Sequence, residues 1–139
     1  MLVSDTKNTD QLLTINSTPT NIVHVEPFIV EFCNSNHICD EVYGNMLVCV
    51  TEAVNNAILH GNKTDINKRV TLEIKSSNNI VTIYIKDEGS GFDFNNLPDP
   101  TAPENIENMG GRGIYLMKHL ADLVVFSNEG SFVEIQFKL

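Results

Sequence analysis

The chain has 139 residues and a formal net charge of −9, and 42% of its residues are hydrophobic while 19% are charged. This length and composition predict one folded domain with one core over residues 1–139 and exclude a chain that is disordered throughout. We expect disorder only at residues 1–10. The negative charge disfavours direct binding to nucleic acid or to anionic membrane surfaces.

Cysteine usage and the first residues indicate the compartment. Cys33, Cys39 and Cys49 are odd in number and show no C-x-x-C pairing, so neither a disulfide framework nor a zinc site is indicated. The N-terminus lacks the apolar stretch of a signal peptide, and the longest aliphatic run, residues 46–50, is too short to span a bilayer. We therefore predict free thiols and a cytoplasmic location.

The first part of the chain predicts a strand followed by a helix. Residues 11–16 favour a strand, and Pro19 suits the first turn of a helix. Apolar residues then recur at helical spacing as far as Cys33. Pro27 lies inside this pattern, so the helix is either bent or begins later than Pro19.

A longer helix and two strands follow. The helix is predicted to run from Asp40, its cap, to His60, and Gly61 is predicted to end it in left-handed geometry. Residues 69–75 and 80–86 alternate apolar with polar side chains, and the polar residues between them favour a turn. These two runs should pair as antiparallel strands.

The last third predicts a long loop, a helix and a hairpin. Residues 93–110 contain three prolines and no sustained period, which is typical of a functional or disordered loop. A helix should follow from Gly113 to about Asp122, and residues 123–127 and 131–139 should form the hairpin. The element order predicts an α+β fold, a two-layer α/β sandwich with a mostly antiparallel mixed sheet and about three helices on one face.

The first candidate site lies on the longer helix. Glu52, Asn56 and His60 are spaced by four residues and should share one helix face, apart from the apolar stripe. The amide oxygen of Asn56 suits magnesium, and the carboxylate of Glu52 can take a proton from an attacking hydroxyl group. A histidine that closes a helix is more often a favourable end charge than a ligand, so both interpretations of His60 remain open.

The second candidate site is a D-x-G-x-G motif directly after a strand. Its residues are Asp87, Gly89 and Gly91 with Glu88 and Ser90 between them. A carboxylate at a strand end can accept a hydrogen bond from an exocyclic amino group, and glycines allow a flat base to approach the backbone.

The third candidate site is a glycine cluster that opens a helix. It contains Gly110, Gly111 and Gly113, with Arg112 between the last two. Unpaired amides at a helix N-terminus carry partial positive charge and suit phosphate groups.

Each motif alone is more often a plain structural feature. A D-x-G-x-G is commonly a turn, glycines before a helix commonly end a loop, and an asparagine on a helix is commonly a surface residue. Their order, with each motif on the element that its chemistry requires, favours a nucleotide site instead. Because the chain carries a net charge of −9, such a site would need a metal ion and local donors to hold a polyanion.

The three motifs resemble the N box and the two glycine boxes of the GHKL (Bergerat-fold) superfamily of ATPases and kinases, over about residues 40–139. The resemblance implies that Asn56 holds Mg²⁺ and that Asp87 binds the adenine amino group of ATP. It also implies that Gly89 and Gly91 flank the base.

The resemblance extends to the phosphate end of the site. It implies that Gly111 and Gly113 cradle the phosphates of ATP, and we place Gly110 in the same nucleotide site. Residues 93–110 would form the ATP lid.

Two further positions carry weaker assignments. Ser131 stands where the superfamily usually has a threonine near the adenine, and it keeps the hydroxyl group. Some members have a basic residue two positions before the G-x-G, where this chain has Met109. Arg112 is then our candidate for the cation that faces the terminal phosphate, although a surface arginine is an equally good interpretation.

Within the superfamily, this chain most resembles the anti-sigma-factor serine/threonine kinases of partner-switching systems, in its short length and in the sequence of residues 52–61. That resemblance implies that Glu52 is the general base and that the substrate is a serine or threonine of an anti-sigma-factor antagonist. It also implies a sigma factor as a further candidate partner, and a homodimer.

Two other functions remain open. The chain could be a non-catalytic ATP-binding module that sequesters a sigma factor or other regulator, against which the intact Glu52 argues. It could also be a free-standing ATPase with water as acceptor, which fast partner-independent hydrolysis would favour.

Overall fold

The computed structural model describes residues 10–90 and 109–139, with side chains from Gly113 onward in the second range. Five strands form one sheet in the order β1-β2-β3-β5-β4, and every neighbouring pair is antiparallel. The strands are β1 Asp10–Asn16, β2 Arg69–Ser77, β3 Ile80–Lys86, β4 Leu123–Ser127 and β5 Phe132–Lys138.

The α-helices are α1 Val25–Ser35, α2 Asp40–Asn56 and α3 Met109–Leu120. A 3-10 helix, Pro19–His24, precedes α1, so Pro27 falls in the first turn of α1 rather than inside it. Proline is tolerated there because the first-turn N–H groups have no intrahelical partner. The helix therefore begins later than Pro19, which is one of the two alternatives that the sequence predicted.

The core lies between the helices and one face of the sheet. Alternate residues of the strands are buried, such as Leu72 and Ile74 on β2 and Ile83 and Ile85 on β3, while the residues between them are more exposed. This period of two is what a sheet with one covered face requires. The predicted α+β two-layer sandwich is confirmed.

The β2–β3 hairpin turns within two residues. Asn78 and Asn79 have positive φ angles of 55° and 63°. Asparagine is among the few residues that accept this geometry, and two such residues in succession are typical of the tight turns that match strand twist. The predicted turn was two residues too wide, because Ser76 and Ser77 continue β2.

The three cysteines are free, as predicted. Cys33 and Cys49 are buried between the layers, and burial raises their thiol pKa values to about 11 and about 12, whereas Cys39 is exposed. In the part of the chain that the structure describes, no helix is both long enough and apolar enough to cross a membrane.

Helix α3 begins earlier than predicted. Glycine is a weak helix former, and the cluster at residues 110–113 was therefore assigned to a loop. In the structure these residues belong to the first turns of α3, which packs against α2. Tertiary packing thus outweighs the local preference of the glycines.

Candidate functional site

Helix α2 ends in an unusually wide turn that shapes the site. Residues Ala57–Gly61 form a π-helical turn, and the amide of Asn62 donates to the carbonyl of Ala57 at 2.8 Å, five residues back. Such wide turns inside or at the end of α-helices are frequent at functional sites. This turn directly follows Asn56, the last residue of α2.

The prediction that Gly61 adopts left-handed geometry is wrong. The left-handed residues are Lys63 and Thr64, with φ angles of 53° and 57°, and Gly61 belongs to the π-helical turn. Gly61 is required for a different reason: a Cβ atom at this position would lie 2.5 Å from Cγ of Asp87. The missing side chain allows the helix end to approach the Asp87 carboxylate.

Asp87 is held on both sides at the end of β3. Its amide donates to the carbonyl of Ser131 at 2.9 Å, and its Oδ1 accepts from the amide of Gly89 at 2.8 Å. The residue is only 4% exposed. Burial raises the pKa of this carboxyl group, and the Gly89 amide and the positive charge of Lys68 partly oppose that shift.

Gly89 is confined by the same helix end. A Cβ atom here would collide with the carbonyl group of Gly61. In the structure Gly89 allows the loop after β3 to lie against the π-helical turn, and its place beside a base stays a prediction. Because Gly61 and Gly89 have no side chains, Asp87 and the loop after β3 can pack directly against the end of α2.

Asn56 and Asp87 line one pocket between α2 and the sheet. Its other lining residues are mostly apolar: Ala53, Ala57, Ile85, Phe126, Gly130 and Val133. Asn56 is 8% exposed, and its side-chain nitrogen is the buried side-chain polar atom that has no hydrogen-bond partner within residues 10–90 and 109–139. A buried donor without a partner is costly, so the Nδ2 group of Asn56 calls for an acceptor such as a bound ligand or a water molecule.

Glu52 lies one helical turn before Asn56 and faces the start of α3. A Cβ atom on Gly113 would lie 2.7 Å from Oε2 of Glu52, so the two elements meet at this glycine. Glu52 is partly exposed. The structure thus brings the Glu52 carboxylate against α3 about one turn after the first residue of that helix, Met109.

Residues 15–137 match the family of histidine kinase-like ATPase domains. This range covers nearly the whole chain. The chain belongs to this family.

Several curated proteins that are similar to this chain carry the name serine-protein kinase RsbW. The protein from Bacillus subtilis (strain 168) is 30% identical over 90 residues, which are 60% of this chain and 56% of the relative. Those from Bacillus cereus (strain AH820) and Bacillus anthracis (strain CDC 684 / NRRL 3495) are each 29% identical over 96 residues, 64% of this chain and 59% of the relative. The chain therefore spans less than two thirds of the length of these relatives.

The residues of the pocket fit a nucleotide with its magnesium ion. The unpaired Nδ2 group of Asn56 can donate a hydrogen bond to a nucleotide, whereas magnesium would be held by the amide oxygen of the same side chain. Among the described residues there is no cluster of three or more His, Cys, Asp or Glu that could hold a metal. Magnesium is commonly held by one or two protein oxygens together with substrate phosphates, so a single ligand such as Asn56 is in keeping with it.

Ser131 lies next to Asp87, but its hydroxyl group serves a local turn. The hydroxyl donates to the carbonyl of Asn128 at 2.9 Å, while the Ser131 carbonyl accepts from the Asp87 amide. The contact with the site is therefore made by the backbone of Ser131.

His60 belongs to the π-helical turn that follows Asn56. His60 is exposed, whereas Asn56 is buried and lines the pocket. A role for His60 in the site stays a prediction.

The remaining predicted residues are only partly described. Helix α3 includes Gly110, Gly111 and Arg112. The side chain of Arg112 lies outside the described part of the chain. Gly91 and residues 93–108 of the predicted lid also lie outside it.

One residue of this region was missed by sequence reasoning. Asn62 is 1% exposed and hydrogen-bonds to the amide of Glu88 at 2.8 Å, at the start of the D-x-G-x-G loop. An asparagine after a glycine at a helix end is an ordinary turn signal, so the sequence offered no reason to single it out.

Proposed function

We propose that this chain is an ATP-dependent serine/threonine protein kinase that acts as an anti-sigma regulatory factor. Its substrate would be a serine or threonine of an anti-sigma-factor antagonist in a partner-switching system. The observation that best supports this proposal is the contact of Glu52 with Gly113 in α3, beside a pocket that Asn56 and Asp87 line. The family match and the serine-protein kinase name of the relatives support this assignment.

The base end of ATP would lie in the apolar pocket. The buried carboxylate of Asp87 would accept the hydrogen bond of the adenine amino group, while its Oδ1 also accepts from the Gly89 amide. Gly89 and Gly91 would flank the base, as the resemblance implies, and the backbone of Ser131 holds the Asp87 amide from the last hairpin.

The phosphates would lie toward the N-terminus of α3. The amides of the first turn of α3, which include those of Gly110 and Gly111, bind phosphate oxygens, and Arg112 is the proposed cation for the terminal phosphate. Gly113 lies one turn after Met109 and contacts Glu52. Asn56 holds Mg²⁺ through its amide oxygen. Bound magnesium would neutralise phosphate charge, which a chain with a net charge of −9 cannot do by its own field.

Glu52 would act as general base. In the transfer step the substrate hydroxyl oxygen forms a bond to the γ-phosphorus, and the bond from that phosphorus to the β–γ bridging oxygen breaks. The hydroxyl proton goes to the Glu52 carboxylate, and ADP leaves. A base beside the phosphate-binding helix end is favourably placed for this proton transfer.

The partners and location proposed here come from the resemblance. We propose an antagonist as substrate, a sigma factor as a further partner, a homodimer and a cytoplasmic location. Strand β1 is at one edge of the sheet and exposes Leu12, so this edge is a candidate part of the dimer surface.

The test is transfer of label from γ-³²P-ATP to proteins of a host-cell extract, followed by acid treatment. Phosphoserine and phosphothreonine survive acid, whereas phosphohistidine does not, so an acid-stable labelled band supports the proposal. Binding of ATP without any transfer would favour the non-catalytic module, and rapid phosphate release without a partner would favour the free-standing ATPase.

Replacing Gly113 with alanine should slow phosphoryl transfer without lowering thermal stability. Alanine favours a helix interior over glycine by about 1 kcal/mol, and the nearest clash is with the flexible end of Glu52, so thermal stability should not fall. The new methyl group displaces the Glu52 carboxylate, so the transfer rate should drop by roughly tenfold or more. Thermal melting and label transfer measure the two effects.

Gly44→Ala is the matched control, because it adds the same methyl group to helix α2 with nothing within 4 Å. It should show the stability gain and the native transfer rate. Native transfer by Gly113→Ala would contradict the placement of Glu52 at the phosphate end.

A further inference from the structure

Asn62 is buried, and both polar groups of its side chain are hydrogen-bonded. Its Nδ2 group donates to Oγ of Ser17 at 2.6 Å and to the carbonyl of Arg69 at 3.0 Å, and its Oδ1 accepts from the amide of Glu88 at 2.8 Å. An amide group that is satisfied on both sides in a buried position holds its neighbours in one arrangement.

The bonds of Asn62 connect three separated parts of the chain. Ser17 follows β1 and is fully buried, and its hydroxyl donates to the carbonyl of Lys68 at 2.7 Å. Arg69 begins β2, and its amide donates to Oε1 of Glu88 at 2.6 Å. Asn62 therefore ties the helix end, the start of β2 and the loop after β3 into one network.

This network fixes the peptide that follows Asp87. The Glu88 amide bonded to Asn62 belongs to the peptide group between Asp87 and Glu88, and the Asp87 amide on the other side is bonded to Ser131. Both peptide groups flanking Asp87 are thus anchored, one by Asn62 and one by the last hairpin. The backbone is therefore held on both sides of Asp87, and the Gly89 amide holds Oδ1 of its carboxylate.

We propose that Asn62 is a positioning residue for base recognition, which sets the preference for adenine through Asp87 without contacting the nucleotide. This inference rests on the proposed ATP site. Loss of Asn62 would free the peptide after Asp87 and let the carboxylate move away from the exocyclic amino group. Affinity for a base without that amino group should depend on Asn62 much less.

The test compares MgATP with MgITP by calorimetry, since inosine carries a carbonyl group where adenine carries the amino group. The native chain should prefer MgATP, and Asn62→Ala should shrink this preference by about tenfold, the effect of one charge-assisted hydrogen bond. Asn36→Ala is the matched control, because Asn36 also donates from its amide to a backbone carbonyl, that of Phe32 at 2.9 Å. It should leave the preference unchanged.

The possible results distinguish the positioning role of Asn62 from the ATP site itself. Equal weakening of both nucleotides in Asn62→Ala, with the preference intact, would overturn the positioning role and leave the ATP site standing. A native chain that binds neither nucleotide would overturn the ATP site and this inference together.

If Asn62→Ala does not fold, Ser17→Ala decides the question. It removes the hydroxyl group that accepts from the Asn62 amide and donates to the Lys68 carbonyl, and it should shrink the preference by about threefold. An unchanged preference in that variant would then overturn the proposal.

Discussion

Replacing Glu52 with glutamine is expected to slow phosphoryl transfer by about 10²–10⁴-fold, the usual contribution of a general base. Glutamine keeps the size of the side chain and its contact with Gly113 but cannot take the hydroxyl proton at neutral pH. MgATP affinity should stay within about twofold of the native value, because Glu52 lies outside the base pocket. Label transfer and calorimetry measure the two quantities.

Glu41→Gln is the control for this experiment. Glu41 is exposed in the first turn of the same helix, so the substitution removes the same charge from α2 at a distance from the pocket. It should transfer label at the native rate. Transfer by Glu52→Gln at the native rate would remove the proposed base and favour a mechanism that depends on positioning alone.

Replacing Asp87 with asparagine is expected to weaken MgATP binding by about 30- to 100-fold, or 2–3 kcal/mol. The Gly89 amide already donates to Oδ1, so the asparagine amide group would direct its nitrogen toward the adenine amino group. Two donors would then oppose each other. Stability should not fall, because the substitution removes a buried carboxylate whose desolvation is unfavourable.

The same carboxylate predicts a pH dependence. Burial raises the pKa of Asp87 above its value of 3.8 in the unfolded chain, so its contribution to stability is present at low pH and is lost as the pH rises through the raised pKa. Binding follows the opposite direction. As the pH falls through the raised pKa, the carboxyl group gains a proton and stops accepting from adenine, so MgATP affinity should fall.

Asp65→Asn is the matched control for Asp87→Asn. Asp65 is partly exposed, and its Oδ1 accepts from the amide two residues onward, Asn67, at 2.9 Å, as Asp87 does from Gly89. The control should bind MgATP with the native affinity and pH profile. Equal affinity in Asp87→Asn and the native chain would show that this carboxylate does not recognise the base.

Much of the fold could be predicted from local patterns. Alternation at residues 69–75 and 80–86 indicated β2 and β3, and the exposed faces of these strands obey the same period. Glu52, Asn56 and Asp87 could be chosen because their residue types and spacing match a known chemistry. That information is local, so short stretches of the sequence are enough to predict these features.

The features that the sequence did not predict depend on contacts between distant residues. Gly61 looked like a helix-ending residue, yet its role is to admit the Asp87 carboxylate from another element. Asn62 looked like an ordinary turn residue, yet it bonds to Ser17, 45 residues away. Neither packing nor such bonds leave a periodic signal, so only the folded structure shows them.

The most direct test of the central claim is calorimetric titration of the native chain with ATP, with and without magnesium. We expect saturable binding at one site in the presence of magnesium and much weaker binding after its removal, because the chain has a net charge of −9 and repels bare triphosphate. Absence of binding at millimolar ATP with magnesium present would contradict the nucleotide site, and with it the proposed kinase activity.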